Sequence, residues 1–438
     1  MSQTPLRILV VLPMYGGSLP VGRYCARALA DLGHTVQCFE APLFHSAFTG
    51  LRELALGSTQ VAQLEHSFLQ VIAQAVWAKI QSLEPQLVLA MAQAPLSRSL
   101  LQRLRRSHVR TAMWFVEDWQ VFNYWRDYAP LYDTFAVIQK EPFLSALRDA
   151  GQPHAFYLPL AALPEFHRPL DLSPSERKEY GSEIAFLGAG YPNRRQAFRR
   201  LVGRNFKIWG SDWEGESLLS AHIQRQGTRI SEEESVKIYN AASINLNLHS
   251  SIRGDTILSH GDFVNPRTFE LAAVGAFQLV DKRDLMPELF ASDELATFET
   301  SEEFFAAIDY YLAHPEERTA IAAKARERVL REHTYVKRMT SLLDHMEACF
   351  GPWTQNGLAE QESSGSAGGQ QTDSLGALPE NLPPVLRDAL PELLQKLGLG
   401  PHASLEDVLC RLRGQKGILS ELETSLLFLD AWSKQYKK

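Results

Sequence analysis

The sequence has few cysteines, no excess of basic residues and no long apolar run. Its four cysteines show neither Cys-x-x-Cys nor Cys/His metal-ligand spacing, which argues against structural zinc and favours a reducing compartment. With 44 Lys+Arg against 51 Asp+Glu, the net charge of -7 argues against a nucleic-acid partner, so an anion would need a local arginine cluster. No apolar stretch reaches the roughly 18 residues of a bilayer span, and the N-terminus lacks a signal-peptide pattern. We therefore expect a cytoplasmic protein without a transmembrane segment.

The first part of the chain alternates short apolar strands with helical patterns. The run from Arg7 to Leu12 is apolar after its first residue, which is typical of a strand covered on both faces in a parallel sheet. A glycine turn at Gly16 and Gly17, a helical pattern that ends at Gly33 and a second strand complete a βαβ unit. Further strand candidates follow at 87–92, 111–116, 134–138 and 155–158. The sequence predicts an N-terminal Rossmann-like domain over residues 1–168.

A second α/β rhythm predicts a C-terminal Rossmann-like domain over residues 169–352. Strand candidates at 184–187, 206–209, 243–248 and 277–280 alternate with helical patterns at 193–202, 232–240 and 267–274. We expect two tandem Rossmann-like domains facing a cleft, because ligands of such sheets bind beyond the carboxyl ends of the strands. Residues 353–378 are rich in Gly, Ser and Gln and predict a flexible linker, and leucines at helical spacing in 379–438 predict a helical tail.

The start of one predicted helix, together with the loop before it, carries two acidic residues and an arginine. Asp262 and Glu270 are eight residues apart, with Arg267 and Thr268 between them at the beginning of the helix. A helix N-terminus favours a phosphate group, and a carboxylate one turn further in can accept hydrogen bonds from ribose hydroxyls. The alternative is a solvated acid with a weak i, i+3 ion pair between Arg267 and Glu270.

A second set of candidates combines glycines, which allow close backbone approach, with arginines, which offer a bidentate fork to phosphate oxygens: Gly188, Gly190, Asn193, Arg194 and Arg195. Trp209 and Gly210 end the next strand and are candidates for the border of a base site, with core packing as the alternative for the tryptophan. His249 follows a strand and is either a phosphate contact or a structural histidine.

The first domain offers two further candidates. Gly16 and Gly17 follow the first strand without the G-x-G-x-x-G fingerprint, which argues against a dehydrogenase. Glu117 and Asp118 stand at the end of a strand, where an acid can act as a general base. Asp118 is the first choice for this catalytic role, and the alternative is a helix N-cap.

Several segments together resemble the C-terminal half of CgeB-like glycosyltransferases, a bacterial group with the two-Rossmann-domain fold called GT-B. These segments are VNPRTFELAAVG at 264–275, INLNLHS at 244–250, YYLAHPEER at 310–318 and HTY at 333–335. The resemblance covers about residues 183–350, extends only loosely into the first domain and does not include the tail after residue 353.

The resemblance implies transfer of a sugar from a nucleotide-sugar donor, linked to UDP, GDP, ADP or TDP, to a protein or glycan acceptor. It implies that the first domain is on the acceptor side, that the second domain holds the nucleotide, and that neither a metal nor another cofactor takes part. In the resembled fold the loop of Gly16 and Gly17 faces the cleft, where its N–H groups would meet the donor phosphate or the acceptor. Glu270 resembles the ribose-binding acid of an E-x7-E pattern, and Arg267 would face the diphosphate. Asp262 takes the place of the pattern's first acid, near the donor sugar and with a shorter side chain, and is the third catalytic candidate.

Two other functions are compatible with the same residues. One is a nucleotide-sugar epimerase or hydrolase of the same fold, which would turn over the donor without an acceptor. The other is a non-catalytic nucleotide-binding protein that recruits a partner through the helical tail. For the tail, we expect docking of an acceptor protein or a second subunit, with a cap on the molecule's own surface as the alternative.

Overall fold

The computed structural model describes residues 5–251, 261–353, 384–400, 403–415 and 417–436. Contacts divide these residues into two compact units. The first contains the described residues up to Ala136, Ala146–Phe156 and those from Leu342 onward; the second contains Val137–Ser145 and Tyr157–Ser341. This division differs from the boundaries predicted from the sequence, because the chain returns to the first unit after residue 341. The predicted linker lies outside the described residues, apart from residue 353.

The first sheet is built from strands of Val, Leu, Ile and aromatic residues. Every residue of its third strand is buried, as expected for a strand covered on both faces. The pairings that join its second, first, third and fourth strands are parallel. Its elements in chain order are β1 Arg7–Val11, α1 Ser18–Asp31, β2 Thr35–Phe39, α2 His45–Gly50, α3 Ser58–Leu83, β3 Leu87–Met91, α4 Arg98–Arg106, β4 Arg110–Phe115, α5 Trp125–Tyr128, β5 Thr134–Val137, α6 Phe143–Asp149 and β6 Ala155–Tyr157.

The second sheet has five strands and a core of aromatic and aliphatic side chains that includes Phe186, Phe198 and Phe298. Its strands pair in the order β11-β10-β9-β7-β8, and all four pairings are parallel. Its elements, and the helix that follows them, are α7 Pro174–Tyr180, β7 Ser182–Leu187, α8 Pro192–Phe198, β8 Phe206–Trp209, α9 Glu232–Ala241, β9 Ala242–Asn247, α10 Pro266–Val274, β10 Gln278–Asp281, β11 Ala296–Phe298, α11 Ser301–Ala313, α12 Pro315–Glu332 and α13 Tyr335–Phe350. The structure confirms the prediction of two parallel α/β sheets.

The C-terminal segment is part of the first unit. It comprises α14 Pro384–Lys396, α15 Leu405–Arg413, β12 Gly417–Ile418 and α16 Glu421–Tyr436. β12 pairs in parallel with β2 at the edge of the first sheet, and Ser82 of α3 donates to the carbonyl of Thr424 on α16 at 3.4 Å. Glu423 is fully buried. The described part of the tail therefore packs on its own chain, and docking of a partner stays a prediction.

The register of the second sheet brings the ends of its strands to one edge. Leu187, the last residue of β7, lies beside Trp209, the last residue of β8, and Val280 of β10 lies beside Asn247, the last residue of β9. The residues that follow these strands therefore meet at the carboxyl edge of the sheet. Among the residues that the structure describes, no helix is both long enough and apolar enough to cross a membrane.

Candidate functional site

Helix α10 begins at the carboxyl edge of the second sheet and is defined by caps at both ends. Asn265 is the N-cap, and its side-chain oxygen accepts the Thr268 N–H at 3.1 Å. Pro266 occupies the first turn, where its missing N–H costs no helical bond. Gly275 ends the helix in the left-handed conformation, with φ 75°, as its position in the sequence predicts. No acidic residue lies in the first turn, so the positive end of the helix dipole is not offset there.

The predicted glycine loop is closely packed against its neighbours. A Cβ on Gly190 would lie 2.2 Å from the carbonyl oxygen of Asp212, and one on Gly210 would lie 2.6 Å from the carbonyl oxygen of Gly188. A Cβ on Gly188 would lie 3.0 Å from a guanidinium nitrogen of Arg267. These glycines therefore let the turn after β7 contact the turn after β8, and they let Arg267 pack against the turn after β7. A contact between this loop and a ligand stays a prediction.

Arg194 uses its guanidinium to hold backbone carbonyls. Its Nε and Nη2 donate to the carbonyl of Leu248 at 3.1 and 2.7 Å, and its Nη1 donates to Ala189 at 3.0 Å. Only 6% of the residue is exposed. Burial, followed by the nearby Arg267 cation, lowers the pKa of Arg194 to about 9. The side chain stays charged at neutral pH and ties β7's turn to the end of β9.

Arg195 and Asn193, on the same helix, also bind backbone groups. Arg195 donates to the carbonyl of Gly190 at 2.6 Å and to that of Glu214 at 2.9 Å. Asn193 is 1% exposed and donates to the carbonyl of His249 at 3.0 Å. The start of α8 thus fixes the loops at this edge, and direct phosphate contacts by these residues stay a prediction.

His249 is a buried, neutral hydrogen-bonding side chain. Its Nε2 accepts the backbone N–H of Asn265 at 2.9 Å, which requires that this nitrogen carry no proton. Its Nδ1 therefore carries the proton and donates to Oδ1 of Asp281 at 2.8 Å. Burial, partly opposed by Asp281, lowers the pKa of His249 to about 4. Both ring nitrogens are bonded within the protein, as expected for the structural histidine that the sequence left as one alternative.

Asp281 is stabilised as a carboxylate by two partners. Burial alone would raise its pKa, but His249 and the Arg283 cation lower the pKa of Asp281 to about 2. Arg283 donates to Oδ2 of Asp281 at 2.7 Å. Asp281 is 3% exposed, and Arg283 is 2% exposed. Sequence reasoning missed both residues, although an acid at the end of an otherwise apolar strand is a signal that points to them.

A buried amide network lies beneath the start of α10. Asn247 donates to Oγ1 of Thr268 at 2.9 Å and to Oε1 of Gln278 at 3.0 Å, and its own oxygen accepts from Asn265 at 2.9 Å. Gln278 in turn donates to the carbonyl of Thr268 at 2.8 Å. Asn247 and Thr268 are fully buried, so each of these bonds replaces one to water. Thr268 thus supports the helix from below, and its assignment to ligand binding stays a prediction.

Arg267 and Glu270 lie on the first two turns of α10. Arg267 has a long 3.5 Å contact with Oδ1 of Asn247, and its guanidinium carbon lies 5.5 Å from the centre of the Phe186 ring. Its Nε is buried without a hydrogen-bond partner among the described residues. Glu270 is half-buried and accepts the Tyr239 hydroxyl at 3.3 Å. Burial raises the pKa of Glu270 to about 7, although Arg267 opposes the shift.

Asp262 is a hydrogen-bond acceptor in the loop before α10, whereas Trp209 is buried. Oδ1 of Asp262 accepts from Gln139 Nε2 and from the Phe263 N–H, both at 2.8 Å. Trp209 is 1% exposed and packs against Tyr180 with ring centres 5.7 Å apart. The tryptophan therefore contributes to the core, which is the alternative that the sequence left open, and a contact with a base stays a prediction.

The candidates of the first unit lie at the carboxyl ends of β1 and β4. A Cβ on Gly16 or Gly17 would meet no atom within 4 Å, so both glycines border open space. Glu117 accepts from the side chain of Gln93 and from the Tyr124 hydroxyl at 3.2 Å. Burial raises the pKa of Glu117.

Asp118, the neighbour of Glu117, lies in a turn. Its Oδ1 accepts the Gln120 N–H at 3.0 Å, and its carbonyl accepts the N–H groups of Val121 and Phe122 at 3.1 and 3.0 Å. These bonds, one to the side chain and two to the backbone carbonyl, shape the loop that contains Asp118. The structure therefore distinguishes a half-buried Glu117, bonded to Gln93 and Tyr124, from a turn-forming Asp118. The catalytic role of either stays a prediction.

Comparisons with known proteins identify relatives for most of the chain. Residues 194–344 match a family described as glycosyl transferase-like. The spore protein CgeB of Bacillus subtilis (strain 168) is 27% identical over 255 residues, which are 56% of this chain and 78% of CgeB. The family match contains β9, α10 and β10 and begins within α8, at Arg194.

Solved structures show the same fold at low sequence identity. A glycosyltransferase from Rickettsia africae has a TM-score of 0.54 at 13% identity, over 79% of this chain and 98% of that one. HepE from Anabaena, solved in complex with UDP and glucose, has a TM-score of 0.54 at 12% identity, over 78% and 100%. A sucrose-phosphate synthase from Thermosynechococcus elongatus has a TM-score of 0.53 at 13% identity, over 79% and 100%. At these identities the likeness concerns the fold alone.

Proposed function

We propose that this chain is a CgeB-like glycosyltransferase of the GT-B fold and that it transfers a sugar from a nucleotide-sugar donor bound by its second unit. The observation that carries the proposal is the start of α10. This nine-residue helix has no acidic residue in its first turn. It carries the guanidinium of Arg267 at its start and the carboxyl of Glu270 one turn later. The solved HepE complex with UDP and glucose supports a nucleotide ligand for this fold.

The charges at this helix start suit a diphosphate followed by a ribose. The helix dipole and the Arg267 guanidinium are both positive, and a phosphate would give the buried Nε of Arg267 an acceptor. Glu270 lies one turn further along, where an ionised carboxylate can accept from ribose hydroxyls. We propose that these fixed positive groups stabilise the departing diphosphate, so that transfer needs no bound metal.

For the acceptor we propose a protein or glycan hydroxyl, deprotonated by a carboxylate of the first unit. Glu117 takes precedence over Asp118 in this proposal, because burial raises its pKa and a carboxylate with a raised pKa is the stronger base. Asp262 is proposed to act near the donor sugar. Docking of an acceptor protein on the helical tail belongs to the same proposal, and deletion of residues 384–436 should change acceptor choice if it is right.

Calorimetric titration tests the donor part of the proposal. The wild-type chain should bind one of UDP-, GDP-, ADP- or TDP-glucose, and Arg267→Ala and Glu270→Ala should each weaken that binding at least tenfold. Arg331→Ala is the matched control, since this arginine pairs with Glu327 and Glu332 on the exposed face of α12. Failure of the wild type to bind any of the four would refute the proposal. Incubation of the bound donor without an acceptor separates transfer from hydrolysis or epimerisation.

A further inference from the structure

His249 is bonded through all four of its polar groups, and its partners come from three other elements. Its backbone N–H and its Nδ1 both donate to Oδ1 of Asp281, at the end of β10, at 2.9 and 2.8 Å. Its carbonyl accepts from Asn193 of α8 at 3.0 Å, and its Nε2 accepts the N–H of Asn265, the N-cap of α10, at 2.9 Å. One residue, through its backbone and its side chain, therefore joins the ends of two strands to the starts of two helices.

Burial makes this set of bonds rigid. His249 and Arg283 are 2% exposed and Asp281 is 3% exposed, so water does not compete for the bonds. The carboxylate of Asp281 fixes which imidazole nitrogen carries the proton, and this leaves Nε2 free to accept from Asn265. Arg283 balances the charge of Asp281 through Oδ2 at 2.7 Å, so the carboxylate stays ionised in the interior.

The hydrogen bond to Nε2 of His249 comes from Asn265, the N-cap residue of α10. Asn265 caps the helix through Thr268, and Arg267 stands between these two residues in the first turn. A shift of the Asn265 backbone would move the first-turn N–H groups and the Arg267 guanidinium together. Glu270 lies a turn further on and has its own bond to Tyr239. Loss of the His249 side chain should therefore displace the groups that would bind phosphate oxygens more than it displaces Glu270.

We propose that His249, oriented by Asp281, is a positioning residue for the donor diphosphate: it fixes the first turn of α10 through the Asn265 N–H and does not itself touch the ligand. This inference rests on the proposed function, since it assigns the diphosphate to that turn. It replaces the direct phosphate contact that the sequence suggested for His249. It also assigns a role to Asp281, which sequence reasoning did not select.

The test compares the affinities of a nucleotide and of its nucleoside. In His249→Ala, binding of UDP should weaken at least tenfold, whereas binding of uridine should change less than twofold. The same comparison is made with GDP, ADP or TDP and their nucleosides if the wild type prefers one of them. His249→Gln should recover part of the UDP affinity, because a carboxamide has an NH2 donor group and an oxygen acceptor to replace the two ring nitrogens.

His333→Ala is the matched control. This histidine of the second unit is 5% exposed and, like His249, has both ring nitrogens bonded, to the carbonyl of Leu289 at 2.8 Å and to Arg338 at 2.7 Å. Its loss should lower the melting temperature and leave the ratio of UDP to uridine affinity unchanged. If His249→Ala does not fold, Asp281→Asn replaces it, with the same selective loss of UDP affinity expected.

Two results would overturn the inference. The first is an equal loss of UDP and uridine affinity in the His249 variants, which would indicate a general structural role. The second concerns hydrogen exchange, which needs no ligand. The N–H groups of Asn265 and Thr268 should exchange faster in His249→Ala than in His333→Ala, and equal protection would contradict positioning. If the wild type binds no nucleotide, the proposed function fails, and the exchange measurement alone decides whether His249 positions the helix.

Discussion

Nucleotide binding should depend on pH through Glu270. This carboxyl accepts the Tyr239 hydroxyl at 3.3 Å, and the charged groups that act on it are Arg267 on its own helix and Glu232 on α9. Burial is the largest effect and raises the pKa of Glu270 to about 7. Only the ionised form accepts two hydrogen bonds from ribose hydroxyls without competition from its own proton. Affinity should therefore rise as pH increases through about 7.

The size of this effect follows from the pKa. If the ionised form alone binds, affinity falls about tenfold for each pH unit below the pKa, so binding at pH 6 should be roughly ten times weaker than at pH 8. The free energy of unfolding should change with pH in the opposite direction to the affinity. A carboxyl with a pKa near 7 in the folded state and 4.5 in the unfolded state contributes full stability below pH 4.5 and loses it as pH rises through 7. That loss is at most about 3 kcal/mol, so tighter binding accompanies lower stability.

The assay is calorimetry of the bound nucleotide from pH 5.5 to 8.5, with chemical denaturation over the same range. Glu270→Gln should bind weakly and lose the pH dependence of both measurements. Glu234→Gln is the control, because Glu234 also accepts from a tyrosine, Tyr180 at 3.1 Å, but is in addition paired with Arg225 at 2.9 Å. A pH profile of wild-type binding that is flat, or that persists in Glu270→Gln, would refute this reasoning.

Two further predictions concern packing and are read from chemical denaturation. Gly190→Ala should lower the free energy of unfolding by about 1–3 kcal/mol, because its Cβ would lie 2.2 Å from the carbonyl oxygen of Asp212, whereas Gly17→Ala should change it by less than about 0.5 kcal/mol. Equal effects of the two changes would contradict the packing argument. Glu423→Ala should cost about 1–3 kcal/mol, because this fully buried acid accepts from Lys396 at 2.6 Å and from a backbone N–H. Lys396→Ala should cost less, since about half of that side chain is exposed; the opposite order would refute a structural role for the tail.

The fold could be predicted because its signals are local. Continuous apolar runs identified β1, β3 and β7, and Gly275 marked the end of α10, because each depends on neighbouring residues only. β12 could not be found in this way. It has two residues, and its partner β2 lies nearly four hundred positions earlier, so nothing near it in the sequence indicates a strand.

The candidate site could be predicted only in part, for a related reason. Arg267 and Glu270 follow from the start of one helix, whose dipole and spacing are local properties. The partner of His249 is 32 residues away at the end of another strand, and its proximity depends on the register of the sheet. Sequence reasoning also could not show that Arg194 binds backbone carbonyls, because a buried arginine and a phosphate-binding arginine have the same sequence pattern.

These bonds change the role expected for the positive charges. Arg194 and Arg195 are occupied by carbonyls, and Arg283 is neutralised by Asp281. Arg267 differs from these three because, among the described residues, its guanidinium bonds neither a carbonyl nor a carboxylate and has a long 3.5 Å contact with Asn247. Arg194 nevertheless stays charged and acts on Arg267 at close range. Its charge adds to the positive potential at the helix start without contacting a ligand. Arg194→Met should therefore weaken diphosphate binding and reduce its dependence on salt, while a role limited to packing would leave the salt dependence unchanged.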